Sequence, residues 1–167
     1  MTTTTLVVRY LDDLLETDSV PDYPNALNGL QLANSGSVSR VAAAVDFSLR
    51  TITAAAEADA NLLIVHHGMF WGGLQPIRGK YFDRIRALLA RDIAVYSSHL
   101  PLDRHALYGN NALLAAELGL EPSAEFARFK TISIGVSGES DLATTELAAR
   151  ADAFARCRLS RRSKLRP

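Results

Sequence analysis

Leu62-Leu63-Ile64-Val65-His66-His67-Gly68 holds four aliphatic residues without polar alternation, then two imidazoles and a glycine. A short unbroken apolar run predicts a strand covered on both faces, the situation of a central strand in a parallel sheet. Upstream, Val41-Ala42-Ala43-Ala44-Val45 has the same character, and Ser48 stands where it can cap a helix reaching about Ala58. The alanines of that segment favour the helical state. Strand, helix and strand in so little chain make a βαβ unit, for which a right-handed crossover is expected.

The pattern repeats downstream. A loop from Gly68 to Gly79 leads into a helix near Tyr81–Ala90, Ile93-Ala94-Val95-Tyr96 forms a third buried strand, and Ser97 to Asp103 is a second loop. A helix is expected over Asn111–Leu118, ended by Gly119, then a strand over Phe129–Val136. Asp141 or Thr144 can cap a last helix through Ala155. Before the first strand, Leu6, Val7, Tyr10, Leu11, Leu14 and Leu15 recur at helical spacing within 5–16. Pro21 and Pro24 break the chain, and Asn28-Gly29 makes a turn ahead of Leu30-Gln31-Leu32. There is no internal repeat or low-complexity linker. The expected fold class is α/β, a mainly parallel sheet flanked by helices, as one domain over 1–155.

Composition narrows the function classes. The 167 residues carry 18 basic and 18 acidic side chains, and 48% are hydrophobic. The balance is uneven, because all the acids lie at or before Asp152, while Arg156, Arg158, Arg161, Arg162, Lys164 and Arg166 crowd the end. Residues 156–167 are therefore expected to form a solvated basic tail. It has no interleaved aromatics, so nucleic acid is not the expected partner. Cys157, the single cysteine, excludes an internal disulfide, and no partner acid or histidine surrounds it. No apolar run approaches the ~20 residues that cross a bilayer. The start, Met1-Thr2-Thr3-Thr4-Thr5, lacks a secretion signal's features, so the expected location is the cytoplasm.

In an open parallel sheet, ligand-binding side chains gather beyond the carboxyl ends of the strands. His66 and His67 end one strand here, and His99-Leu100-Pro101-Leu102-Asp103 follows the next. Imidazole and carboxylate suit zinc, manganese, iron and similar divalent metals. Adjacent residues of a strand point to opposite sides. Either one of His66 and His67 ligates while the other supports it, or the pair serves two neighbouring ions that Asp103 can bridge. The lack of thiolates disfavours a closed structural zinc. His105 is expected to cap a helix or sit at the surface. Asp46 also ends a strand, with a turn or capping role expected, and Phe70 and Trp71 are expected to pack the loop rather than wall a pocket. Gly72-Gly73 loosens that loop, but the chain has neither a Walker run nor GxGxxG, and no Gly-x-Ser-x-Gly elbow of a serine hydrolase.

Asn28-Gly29-Leu30-Gln31, Leu63-Ile64-Val65-His66-His67-Gly68-Met69-Phe70-Trp71, and Ser98-His99-Leu100-Pro101-Leu102-Asp103 with Gly109-Asn110-Asn111 occur in that order. By these motifs the chain resembles the NIF-three-like family of the YbgI type, dinuclear-metal proteins also called GTP cyclohydrolase one type two homologues. The resemblance covers roughly residues 5 to 140. It implies an α/β fold of two related lobes and a ring-shaped hexamer whose metal pairs face an inner cavity. Matched motif by motif, His66, His67, His99 and Asp103 correspond to the family's amino-terminal metal ligands. The family completes its site with HxxxE near the carboxyl end, but no histidine follows His105 here. The chain is thus expected to be the amino-terminal portion of the family fold, truncated or read out of frame after residue 155.

Three functions follow as expectations. The first is a hydrolase using two divalent ions on a nucleotide or phosphoester. The second is a metal-binding regulatory or interaction protein without turnover. The third is an inactive fragment, made poorly soluble by exposed apolar surface.

Overall fold

The computed structural model describes residues 2–161. In chain order the elements are β1 (Thr2–Thr3), α1 (Thr4–Leu15), β2 (Gly29–Leu32), β3 (Ser37–Val38), β4 (Val41–Asp46), α2 (Leu49–Glu57) and β5 (Leu62–His67). There follow α3 (Gly79–Ala90), β6 (Ala94–Ser97), α4 (Leu100–Arg104), α5 (Asn110–Leu118), β7 (Glu121–Phe129), β8 (Ile132–Glu139) and α6 (Thr144–Arg161). The chain divides into two compact units, Met1–Leu102 and Asp103–Pro167.

The first unit is built on a sheet of order β2-β6-β5-β4. Strands β4, β5 and β6 run parallel, as their apolar runs predicted, and β2 joins the edge of β6 antiparallel. Alternation along the strands divides the core in two. Leu63, Val65 and Val95 face Ile52 and Ala55 of α2 and Leu88 of α3. Leu62, Ala94 and Tyr96 face Leu15 and partly buried Val7, Val8 and Leu11 of α1. Both crossover helices thus cover one face, as two crossovers of the same hand require when the strands advance in one direction. Ser48 caps α2: its hydroxyl accepts from the Thr51 N–H at 3.2 Å, and the Thr51 hydroxyl accepts in return from the Ser48 N–H at 3.1 Å. This reciprocal pair satisfies two of the donors a helix start leaves open.

The second unit departs from the expectation. Instead of one strand over Phe129–Val136, it holds an antiparallel hairpin, β7 with β8, in which Phe129 pairs with Ile132 around a two-residue turn. Lys130 takes φ 50° there, a conformation that usually signals Gly or Asn, which is why the turn is invisible in the sequence. Strand β7 is exposed along nearly its whole length, so it shows no apolar alternation either, while β8 is mostly half-buried. Helix α5 packs on α6 and on the hairpin, and Gly119 closes it at φ 68°. The expected loop after β6 also contains a short helix, α4. Helix α6 runs to Arg161, past the expected end at Ala155, and the basic tail expected over 156–167 lies outside the described residues from 162 onward. Among the described residues, no helix is long and apolar enough to cross a membrane.

Candidate metal centre

Parallel pairing puts the carboxyl ends of β4, β5 and β6 on one edge. Asp46 pairs with His67 and Val65 with Ser97, so Asp46, His66, His67, Ser98 and His99 all emerge there. His66, His67 and His99 each offer a ring nitrogen within 4.8 Å of the others. The ring centroids lie 4.8 Å (His66–His67), 4.7 Å (His66–His99) and 5.7 Å (His67–His99) apart. The His66 and His67 rings therefore converge instead of pointing to opposite sides. The two histidines are the last residues of their strand, beyond the Val65–Ser97 end of the pairing with β6, where side chains lean along the strand direction past its end.

Each ring is oriented by an oxygen at Nδ1. His66 meets the Ser98 carbonyl at 3.0 Å, His67 the Asp46 carboxylate at 2.8 Å, and His99 the Asp22 carboxylate at 2.9 Å. A carbonyl oxygen and an ionised carboxylate only accept, so all three Nδ1 atoms carry the proton and donate it. That tautomer puts the lone pair of each ring on Nε2. Histidines that ligate metals almost always donate their other nitrogen in this way, to a carboxylate or a backbone carbonyl. Three imidazoles whose Nδ1 atoms are each held by an oxygen leave Nε2 as the ligating atom, a donor set that fits zinc, iron or manganese, so the residues present suit a divalent cation.

Asp22 is the anchor that the sequence concealed. Its carboxylate also accepts from Asn28 Nδ2 at 2.8 Å, the Leu100 N–H at 2.8 Å and the Tyr23 N–H at 2.7 Å. Burial pushes its pKa up, but the hydrogen bonds from Asn28, His99, Leu100 and Tyr23 outweigh that and hold the carboxyl below its ordinary value. Asn28 Oδ1 in turn accepts the His99 N–H at 2.8 Å. These residues reach the edge because β2 is antiparallel: Gly29 pairs with Ser97, so the segment before β2 lies where β6 ends. Asp46, expected to serve a turn, orients His67. Phe70 packs against the core as expected, whereas Trp71 stacks on His67 with centroids 4.7 Å apart and planes 22° apart. His105 accepts from the Leu107 and Tyr108 N–H groups through Nδ1 and belongs to a turn. Asp103, the fourth expected ligand, opens the second unit, where its carboxylate accepts from Asn110 Nδ2 at 2.7 Å.

Gly68 makes the turn after His67 possible. A Cβ there would lie 2.3 Å from Gln31 Oε1 and 2.6 Å from Ser97 Oγ. The Gln31 amide cannot step aside freely, because it donates to the Ala26 and Leu27 carbonyls and accepts the Met69 N–H. Gly68→Ala is expected to cost about 1–3 kcal/mol of stability, read from the thermal unfolding midpoint.

The model of the Duf34/NIF3 (NGG1p interacting factor 3) family matches residues 2–162. The chain belongs to the DUF34/NIF3 family. It is similar to a GTP cyclohydrolase 1 type 2 homolog from Archaeoglobus fulgidus, 46% identical over 138 residues, which are 83% of this chain and 56% of that protein. A protein of the same description from Treponema pallidum is 52% identical over 114 residues, 68% of this chain and 40% of that one. Among solved structures, TTHA1606 from Thermus thermophilus superposes with a TM-score of 0.71 at 41% identity, covering 75% of this chain and 51% of that one. This DUF34/NIF3 chain spans about half the length of the curated relatives it matches. The histidine triad lies inside the part that the family shares.

Proposed function

We propose that His66, His67, His99 and Asp103 are ligands of a dinuclear divalent-metal centre, and that this centre hydrolyses a nucleotide or phosphoester. The observation that carries the reading is the tautomer lock: three imidazoles at one sheet edge, each with Nδ1 donating to a fixed oxygen. Divalent cations in such a centre supply Lewis acidity, acidifying water and offsetting charge on a leaving oxygen. The chain's own residues do the rest. Asp22 and Asp46 hold the Nδ1 protons of His99 and His67, which raises the basicity of the opposite nitrogens. Trp71 covers one side of His67 and limits access of bulk water from that side. Asp103 enters on sequence grounds, since it follows His99 by one helical turn in HLPLD. Zinc, iron or manganese suits this nitrogen and oxygen set. The proposed setting is the reducing cytoplasm, which the single cysteine fits, and the proposed assembly is a homo-oligomer, a hexamer on the family pattern.

Elemental analysis of the purified chain, followed by a nucleotide and phosphoester panel before and after His67→Ala, tests this. The expected result is bound divalent metal and turnover, both lost in the variant. A metal-free protein, or an equally active variant, would overturn it. Metal retained without turnover on any member of the panel would leave the regulatory or interaction role in its place.

A further inference from the structure

Strand β4 ends the sheet β2-β6-β5-β4, and among the described residues no strand pairs with its outer edge. On the β5 side the Arg40 carbonyl accepts from the Leu62 N–H, and the pairing runs without a register shift from Val41–Leu62 to Asp46–His67. Backbone groups of successive residues point to alternate sides of a strand, so Arg40, Ala42 and Ala44 bond toward β5. The N–H and C=O groups of Val41, Ala43 and Val45 therefore face outward. The side chains of these three are exposed as well, Val41 by 49% and Val45 by 50%, whereas Ala42 and Ala44 pack on the core beneath α2 and α3. Sheets commonly guard such an edge with a lysine, a proline or a bulge, and β4 has none of them.

The stretch Arg40-Val41-Ala42-Ala43-Ala44-Val45-Asp46 has the same apolar pattern from either end and opposite charges at its two ends. Antiparallel to a second copy of itself about a two-fold axis at Ala43, each Val41 faces a Val45, each Arg40 faces an Asp46, and Ala43 faces Ala43. A two-fold contact requires this kind of self-complementarity. The facing residues at positions 41, 43 and 45 are the ones whose N–H and C=O groups are free of β5, so each facing pair can exchange two hydrogen bonds. The charges are accessible: the Arg40 side chain is 61% exposed and that of Asp46 68%. Arg40 lies 3.8 Å from exposed Asp59, a pairing of little worth, and Asp46 holds His67 through Oδ1, which leaves Oδ2 for a guanidinium.

We propose that β4 is a homodimer interface, at which the β4 strands of two copies pair antiparallel about Ala43 and join two four-stranded sheets into one. Main-chain bonds supply the affinity, as in other strand additions to an open edge, and the Arg40–Asp46 pairs fix the register. The inference deepens the homo-oligomer reading above by naming the surface, and neither metal nor turnover enters it.

Cysteine cross-linking tests the register directly. Cα atoms of a hydrogen-bonded antiparallel pair lie about 5.5 Å apart, and residue 43 alone meets its own copy. In the full chain carrying Cys157→Ser, which removes the single native thiol, Ala43→Cys is expected to form a covalent dimer with the short thiol bridge dibromobimane. Val41→Cys and Val45→Cys are expected to stay uncoupled separately and to couple when mixed. In sedimentation velocity the parent is expected to run as a dimer or a multiple of dimers. Ala43→Lys, which sets two ammonium groups face to face, is expected to weaken association roughly tenfold or more with an unchanged circular dichroism spectrum. Arg40→Glu is expected to weaken it too, and Arg40→Lys to preserve it. A parent that is monomeric at every concentration, or association undiminished in both Ala43→Lys and Arg40→Glu, would overturn the proposal. So would coupling of Val41→Cys alone as fast as Ala43→Cys. A dimer that forms no hexamer supports the interface while the hexamer reading fails, and a hexamer undisturbed by Ala43→Lys removes the interface alone.

Discussion

Asp22→Ala is expected to lose ~3–5 kcal/mol of folding stability, a large share of the roughly 5–15 kcal/mol that a domain commonly has. The size follows from what the carboxylate satisfies. It accepts from His99 Nδ1, Asn28 Nδ2 and the Leu100 and Tyr23 N–H groups, and its side chain is only 6% exposed beside a His99 side chain that is 10% exposed. Truncation strands the part-buried donors of His99, Asn28 and Leu100 at once, and an unsatisfied buried donor costs ~1–3 kcal/mol. The pH dependence has a definite sign. Asp22 has a folded pKa below its ordinary value, so its contribution is full above the unfolded value of ~3.9 and is lost as pH falls through the lowered folded value. Urea unfolding of both proteins should show the full difference at pH 7 and a narrowing one below about pH 4. A difference of the same size at both pH values would contradict this account of the carboxylate.

Asp46→Ala is expected to do the opposite: to leave stability within about 1 kcal/mol of the parent, yet lower divalent-metal affinity about 10–100-fold. Both aspartates accept an Nδ1 proton, at 2.8 Å for Asp46 and 2.9 Å for Asp22. Their surroundings differ. The Asp46 side chain is 68% exposed and the His67 side chain 32%, so water replaces the lost carboxylate and little folding energy is at stake. Water does not hold a ring in one tautomer and one orientation, however, and it is that hold which sets ligand basicity. Competition with a metal-chelating dye measures the affinity, and thermal unfolding checks the stability. Affinity equal to the parent's would remove Asp46 from the centre, while a large stability loss would make it a structural residue.

Much of the first unit was legible in the chain. The apolar runs at Val41–Val45, Leu62–Val65 and Ile93–Tyr96 became three adjacent parallel strands, and Ser48 became the cap of the helix between the first two. Runs of this kind encode burial on both faces, and buried strands joined by helices have few ways to pair. The second unit was less legible because its first strand, β7, is exposed. With neither face committed to a core, β7 has no periodic signature, and the turn at Lys130 carries no Gly or Asn to mark it. The site divided along the same line. His66, His67 and His99 could be placed at strand ends from local pattern alone, whereas Asp22 lies between two prolines, in a stretch that signals only a break in the chain.

By itself, then, the sequence determined which strands are buried and which edge of the sheet bears imidazole, since both are properties of segments a few residues long. Only the tertiary structure decided that the His66 and His67 rings converge, and that Asp22, Tyr23 and Asn28 meet His99 more than seventy residues away. The reason is physical. Hydrophobic periodicity states that a face must be covered but not by what, and β2 satisfies its own pattern beside any strand of suitable length. Its antiparallel seat against β6 is a long-range choice, and it is this seat that carries the segment before Gly29 to the edge where the histidines emerge.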